Sequence, residues 1–576
     1  MEQLLLDFLE QHFEQKACPR LRSGVCSIFQ FTAVPKGQNG DLAMSFFAVS
    51  KEMKQSPVDI AKDVDEKLKD CELLEKTELT GPYLNLFFKN EVFFSQVFAT
   101  PLKSDVMKDK TIVLEFSGPN TNKPLHLGHM RNHALGISVS NLLEQVGATM
   151  HRVNIINDRG VHICKSMLAY QKWGNGETPE STGIKPDLFV GNYYVKFDQE
   201  LKKDESLMED VQEMLQKWEA GDAETMSLWK QMGQWALAGH AKTYERQGIK
   251  FEKDYFESDY YKKGKDIAEE GLKNGVFKKR DDGAIVIDLS AEGLDEKVIL
   301  RADGTSIYLT QDLAVAQARK KDFNPNQLMY VVADEQNYHF KVLFSCLDKL
   351  ELLKKDECHH LGYGLVNLPD GRMKSREGTV VDADNLMDEL SGLALEAITK
   401  RNPELSDDET KTMAEQIQNA AWKFYLLSTS PKKSITFDSQ KSIQFEGATG
   451  PYLQYAGVRI KSILKKADSK SEPGLESNGL ESNPGSILGQ PEKPLGIKII
   501  EFPNVLEKAA ETLNPTYVVT YLLELAQEWS SFYAENSVLK ADTEELKQAR
   551  LQLAQKVLEV LESGLGILGI EIPEKM

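Results

Sequence analysis

The chain has 576 residues, 41% hydrophobic and 27% charged, a length that calls for three or four domains with proper cores and excludes a small stapled scaffold. Its formal charge of −19 excludes attraction of a nucleic acid by the whole-molecule field, so an RNA partner would need locally basic surfaces. The six cysteines (Cys18, Cys26, Cys71, Cys164, Cys346, Cys358) form no CxxC pair, which fits free thiols in a reducing compartment and a cytoplasmic protein.

The opening MEQLLLDFLEQHFEQ is amphipathic and acidic, as expected of the first helix of a domain, and lacks the basic start of a signal peptide. Up to about residue 105, short helical patterns mix with alternating segments such as DLAMSFFAVS and GPYLNLFF, which predicts a small α+β domain. TIVLEF then reads as a buried strand. GHMRNHALGISVSNLLEQVG follows as a helix with Leu135, Val139, Leu142, Leu143 and Val146 on one face, and ATMHRVNIIND as the next strand. Strand, helix and strand with short joints make a βαβ unit, whose parallel sheet needs cover on both faces.

Residues 171–250, rich in Lys, Glu, Trp and Met, read as a helical insertion whose Trp and Met residues pack. AIVIDL and KVILRADG form a hairpin-type pair, and QLMYVVADEQ and LGYGLVNL two more strands, so the α/β body spans 106–390. From 391 to 576 the patterns are helical. They are interrupted near 468–495 by DSKSEPGLESNGLESNPGSILGQPEKP, a flexible loop by composition, in which GLESN occurs twice without an assignable function. No apolar run approaches the length of a membrane span. DECHH is the one Cys/His cluster, and adjacent ligand types without a second half elsewhere make a poor zinc site.

PNTNKPLHLGH (119–129) falls where the first strand of the α/β body ends, on the side of the sheet where ligands bind. A strand-to-helix turn exposes free N–H groups at a positive dipole end, which favours a phosphate. Gly128 leaves room for a flat ring or a phosphate. His126 and His129, three residues apart around the first turn, can donate hydrogen bonds to charge developing on phosphorus, and Lys123 adds a mobile positive charge. HxGH in this position resembles class I aminoacyl-tRNA synthetases and small nucleotidyltransferases, both of which attack the α-phosphate of ATP, so adenylyl transfer is the expected chemistry.

GRMKSREGTVV (371–381) resembles the second class I signature as arginyl-tRNA synthetases carry it. EFSGPNTNKPLHLGHMRN, NIINDRGVHICKS, FESDYY, SIYLTQDLA, DEQNYHF and GPYLQYAGVRI occur in that family's order, and the chain is similar to a full-length member. The resemblance implies a Rossmann-like catalytic domain, a small N-terminal domain that touches the tRNA elbow and an all-α bundle that reads the anticodon. It implies that His126 and His129 stabilise the pentavalent α-phosphate, and that Pro119, Leu127 and Gly128 bind ATP with Arg372, Met373, Lys374, Ser375 and Arg376. Asn120 and Gln336 would hold the backbone end of arginine, and Glu257, Tyr308 and Asp312 its guanidinium. A planar cation does want carboxylates in fork geometry beside an aromatic wall. Without the resemblance, Glu257 and Asp312 are two among 88 acidic residues.

The chain departs from the family pattern at two places. Ser375 stands where the second signature lysine is usual, which leaves Lys123 or Lys374 to supply that charge, and Gln311 stands where many members have arginine. The implied reaction activates L-arginine with ATP and magnesium and transfers it to tRNA(Arg), with no organic cofactor, no zinc and no covalent enzyme intermediate, in a monomer. RIKSILKKADSK and KNGVFKKR are either phosphate-facing patches or solvated faces, and Tyr452, Tyr455 and Tyr533 either stack on bases or pack. Two other readings are a glutamyl- or glutaminyl-type synthetase, which would prefer basic residues at positions 257, 308 and 312, and a non-catalytic tRNA-binding paralogue, which would have lost His126, His129 or Lys123.

Overall fold

Alternating apolar residues after position 30 build an antiparallel sheet from β1 (Gln30–Thr32), β2 (Leu42–Ser45), β3 (Leu74–Thr80) and β4 (Tyr83–Phe88), in the order β1-β2-β4-β3. The computed structural model describes residues 5, 30–32, 34–35, 37–305, 307–369, 381–401, 404–468 and 484–576. The amphipathic start therefore lies outside the described residues except for Leu5, and so do both GLESN repeats. The chain divides into two units.

The first unit takes residues up to Leu102 together with 459–504 and 523–561. Leu84, Leu86 and Phe88 of β4 are buried, and the helices Pro57–Leu68 and Asn90–Ala99 complete this part. Lys493 and Asp41, 452 residues apart in sequence, form a buried ion pair at 2.7 Å. The same carboxylate accepts from Phe88 N at 2.8 Å, and the ammonium donates to Phe88 O at 3.0 Å. Nearby in sequence, Glu492 accepts from Arg550 Nε at 2.8 Å. The end of the segment that composition reads as loop, 484–495, has a short 3-10 turn (Pro484–Ser486), irregular chain and turn over 487–492, and only then the start of the helix Lys493–Glu511, where Glu492 and Lys493 are held by buried partners. Removing one member of such a pair strands the other. Lys493→Met is therefore expected to destabilise this unit by about 3–5 kcal/mol, and Lys493→Met with Asp41→Leu to recover most of that, as read by thermal unfolding. Tyr533 stacks on Trp529 at 5.8 Å, with Arg459 5.5 Å from its ring.

The second unit comprises 103–458, 505–522 and 562–576. Its centre is a five-stranded parallel sheet of β5 (Thr111–Glu115), β6 (Thr149–Ile156), β7 (Lys253–Phe256), β11 (Gln327–Ala333) and β12 (Cys358–Tyr363), ordered β12-β11-β5-β6-β7. Between β7 and β11, β8 (Lys278–Lys279), β9 (Ile285–Ile287) and β10 (Lys297–Leu300) form an antiparallel sheet, in which β9 and β10 are the anticipated pair. LGYGLVNL is not one strand. Its first residues end β12, which starts back at Cys358, while β13 (Val366–Asn367) pairs with β14 (Ile435–Thr436). Gly364 marks the break, since a Cβ there would lie 2.6 Å from the backbone of Lys433. DECHH thus leads into a strand, where neighbouring side chains alternate between faces; His360 hydrogen-bonds Val332 O at 2.9 Å.

The helix Leu127–Gln145 differs from the one-faced helix expected of its pattern. Its apolar residues are buried as anticipated, but so are Arg131, Asn132, His133, Ser138 and Ser140, because the helices Ala383–Arg401 and Asp407–Leu427 cover its other side. Several of its buried polar groups find partners: Arg131 Nη2 donates to Lys433 O at 2.6 Å, Asn132 to Val331 O at 2.6 Å and Ser140 to Ile137 O at 3.0 Å, while Ser138 Oγ and Arg131 Nε make no hydrogen bond among the described residues. A Cβ on Gly136 would lie 2.3 Å from the Phe116 ring, so only glycine allows this helix to approach the end of β5.

The insertion packs the helices Pro186–Leu201, Leu207–Ala220 and Ala223–Gln247 on Val161–Trp173, with Met167, Phe189, Phe197, Val211 and Met232 in one core. Trp218 and Trp229 meet edge to face at 5.5 Å. Among the described residues no helix is long and apolar enough to cross a membrane.

Candidate active site

The chain leaves β5 through Ser117 (φ 80°) and Gly118 (φ 63°), two successive left-handed residues. That conformation is unfavourable for serine and is held by its neighbours: Ser117 N donates to Asn132 Oδ1 at 2.6 Å and Gly118 N to Asn154 Oδ1 at 3.0 Å. Asn157 N donates to Pro119 O at 2.9 Å and Thr121 N to Asn157 O at 3.1 Å, which pins the loop beside the end of β6.

The two histidines cap the helix that follows. His126 is the N-cap residue; its Nδ1 accepts from Gly128 N at 3.1 Å, while Nδ1 of His129 accepts from His126 N at 3.1 Å. Because each Nδ1 is an acceptor, the hydrogen-bond network assigns the ring proton to Nε2, leaving two N–H donors from rings whose centroids are 3.9 Å apart. Burial, with the nearby Lys123 charge, pushes His126 down to about 4. Burial and the neighbouring His126 and His133 carry His129 well below its ordinary value. Both rings are therefore neutral donors at neutral pH. A Cβ on Gly128 would stand 2.9 Å from Cε1 of His126, so the first use of this glycine is to admit the imidazole.

Lys123 is half-buried, which lowers its pKa, and no carboxylate pairs with it among the described residues. Leu127 N donates to Val381 O at 3.0 Å and Ala383 N to Leu125 O at 3.0 Å. The chain after the second signature is thereby bonded to the histidine turn. Arg372, Met373, Lys374, Ser375 and Arg376 themselves lie outside the described residues.

A cavity of about 870 Å³ opens above the carboxyl ends of β5 and β11. It brings together Asn120, His126, Gly128 and His129 on one side with Tyr308, Asp312 and Gln336 on the other. Pro119, Lys123, Leu127 and Glu257 do not line it. Tyr308 begins the helix Tyr308–Phe323 and is 71% exposed, so its ring is a free wall. Asp312, one turn on, bonds to His339 Nε2 at 2.6 Å.

Glu257 is buried just after β7, and burial, opposed by Arg159, pushes its carboxyl up to about 7. With its amide oriented to suit both neighbours, Gln311 donates to Glu257 Oε1 at 2.7 Å and accepts from Arg159 Nη1 at 3.0 Å. Arg159 packs 4.2 Å over the Tyr261 ring and pairs with Glu219 at 3.1 Å. Gln311 therefore links Glu257 to a cation that reaches the site from another element. Below, Glu115 pairs with the fully buried Arg319; burial raises the Glu115 carboxyl, against the pull of Arg319.

Glu115, Arg159 and His339 lie within the motifs EFSGPNTNKPLHLGHMRN, NIINDRGVHICKS and DEQNYHF, but nothing local in the sequence marks what they face, and Arg319 carries no local signal. Among the described residues there is no cluster of three His, Cys, Asp or Glu fit to hold a metal ion. The groups around the helix start are donors, suited to phosphate oxygens.

A parallel sheet with a histidine-capped helix N-terminus after its central strand, facing a cavity at the strand ends, is the arrangement expected of class I aminoacyl-tRNA synthetases and of small nucleotidyltransferases, and the matched family model decides for the class I synthetases. The family model for the class I (R) tRNA synthetase catalytic domain matches residues 95–438, the DALR anticodon binding domain 453–576 and the arginyl tRNA synthetase N terminal domain 24–88. The arginine–tRNA ligase of Treponema denticola is 44% identical over 554 residues, 94% of each chain. That of Amoebophilus asiaticus is 40% identical over 568 residues, 93% of this chain and 94% of its own. The solved Thermus thermophilus arginyl-tRNA synthetase superposes with a TM-score of 0.83 at 25% identity, covering 100% of this chain and 99% of that one. The chain belongs to the arginyl-tRNA synthetase family.

Proposed function

We propose that the protein is an arginine–tRNA ligase that activates L-arginine with Mg–ATP and transfers it to the 3′ end of tRNA(Arg). The observation that carries this reading is the joint lining of one cavity by the two neutral histidine donors and, across it, by Asp312 with Tyr308.

In the first step an arginine carboxylate oxygen attacks the α-phosphorus of ATP, a P–O bond forms to give arginyl-adenylate, and pyrophosphate leaves with its electron pair. The Nε2–H groups of His126 and His129 donate to the oxygens that gain charge, and Lys123 adds a cation without an acidic partner. The helix N-terminus at Leu127 and Gly128, with Pro119 before it, seats the nucleotide, and the 372–376 stretch completes the ATP site. Asn120 and Gln336 hold the amino-acid backbone, while Asp312 and Tyr308 receive the guanidinium in the cavity and Glu257, outside its lining but within electrostatic reach of Asp312, adds a second carboxylate. In the second step the terminal ribose hydroxyl of tRNA attacks the activated carbonyl, AMP leaves, and the hydroxyl proton passes to the departing phosphate or solvent. Orientation and charge stabilisation account for both steps, and no nucleophilic side chain is needed.

Residues 1–105 serve as the tRNA-contacting domain, 106–390 as the catalytic domain and 391–576 as the anticodon-binding domain, in a cytoplasmic monomer. A glutamyl- or glutaminyl-type site would need cations where Glu257 and Asp312 stand, and a non-catalytic paralogue would not need the histidine pair. The test is ATP–pyrophosphate exchange with the full chain. Exchange that depends on arginine and on cognate tRNA is expected; exchange that runs equally with lysine or glutamate, or none even with tRNA, overturns the reading.

A further inference from the structure

We propose that His339 gates the guanidinium pocket: its imidazole occupies the Asp312 carboxylate that arginine needs, and arginine binds with release of a proton from this ring to solvent. The inference rests on the assignment of Asp312 to the guanidinium.

His339 lies near the start of the helix Asn337–Lys349, directly after Gln336, and both residues line the cavity with Asp312. Its Nε2 stands 2.6 Å from Asp312 Oδ2, so one oxygen of the acid is taken before any substrate arrives. The ring packs edge to face on Phe340 at 5.6 Å, and Phe340 stacks on His360 at 4.4 Å, which fixes the imidazole plane.

The charges around it come from several elements. Asp312 lies on the facing helix, Asp334 and Glu335 on the turn before the His339 helix, His360 on β12, Glu115 with Arg319 on β5 and its cover helix, and Glu257 after β7. Burial opposes protonation of His339, but the Asp312 hydrogen bond and charge outweigh it and raise the pKa.

A guanidinium and an imidazolium cannot both be neutralised by one carboxylate. When arginine takes Asp312, the group that favoured the protonated ring is lost, and the ring gives up its proton. The sign follows: the arginine-free enzyme binds more protons than the complex, so arginine affinity increases as pH rises through the His339 titration. Glu257 adds a second linked group of the same sign, because burial holds part of it protonated near pH 7 and a guanidinium favours its ionised form. Two variants separate them. Asparagine at 339 keeps an amide near Asp312 but cannot titrate, and glutamine at 257 removes only the second group.

The experiment measures KM for arginine and kcat separately, from pH 6 to pH 8.5, in tRNA-dependent ATP–pyrophosphate exchange. In the unmodified protein KM for arginine is expected to fall with rising pH over the lower part of this range, by up to about tenfold per pH unit for each of the two linked groups. His339→Asn should flatten that slope whatever its absolute KM, and Glu257→Gln alone should leave the His339 part of it. A His339→Asn protein whose arginine KM follows pH as the unmodified protein's does overturns the gate. Absence of any arginine-dependent exchange in the unmodified protein overturns instead the arginine reading on which the gate rests.

Discussion

His129→Asn is expected to lower arginine-dependent exchange by about 10²- to 10³-fold while leaving tRNA binding unchanged, as measured by exchange rate and by filter retention of labelled tRNA. Asparagine is the informative replacement because its Oδ1 sits where Nδ1 of the imidazole does. It can still accept from His126 N, the 3.1 Å bond that closes the cap, but it offers no donor at the Nε2 position. Alanine would remove the cap acceptor and the donor together and confound the two. An asparagine variant with unimpaired exchange would mean that His129 serves the helix start alone. The protonation state has its own consequence: with His126 pushed down to about 4 and His129 lower than usual by burial, neither ring titrates near 6.5. The pH profile of kcat should therefore have no inflection from these rings in that region.

Asp312→Asn is expected to raise KM for arginine by at least about 30-fold, with a smaller effect on kcat at saturating arginine. Leaving a buried charge without its hydrogen-bonded partner costs roughly 2–5 kcal/mol, and 1.4 kcal/mol is a factor of ten. The substitution keeps the shape of the side chain, so the loss reports charge. It also removes the anion that supports protonation of His339, so the residual pH dependence of KM should be shallower. An unchanged arginine KM would place guanidinium recognition elsewhere, with Glu257 as the remaining carboxylate. Titrating arginine into exchange assays at fixed tRNA and ATP distinguishes these outcomes.

Much of the fold is legible because the signals are local. TIVLEF is a short, mostly apolar run and ATMHRVNIIND sets Met150, Val153, Ile155 and Ile156 among polar residues over a strand's length, and both are strands of the central sheet. The helix after the histidine turn is legible as a helix, but its depth is not: periodicity reports where the apolar residues lie and is silent on whether Arg131 and His133 will also be covered. LGYGLVNL misleads as a strand because two short strands joined across a glycine have the same composition as one long strand. The end of the loop reading, at 493–495, misleads for the opposite reason, as its Pro content suggests a loop while a helix begins there and Glu492 and Lys493 are anchored by residues far away in sequence.

The amino-acid sequence by itself determined the turn to which the phosphate chemistry is assigned. HxGH specifies its own cap, because every donor and acceptor in it lies within three residues and Gly128 is the residue that admits the His126 ring. Family resemblance added the positions across the site. Only the tertiary structure decided what those positions face: that His339 holds Asp312, that Gln311 ties Glu257 to Arg159, and that Arg319 lies under Glu115, 204 residues away. The physical reason is range. Capping and turn chemistry act between near neighbours in the chain, whereas the charge state of a buried carboxylate depends on whichever distant groups the sheet brings beside it.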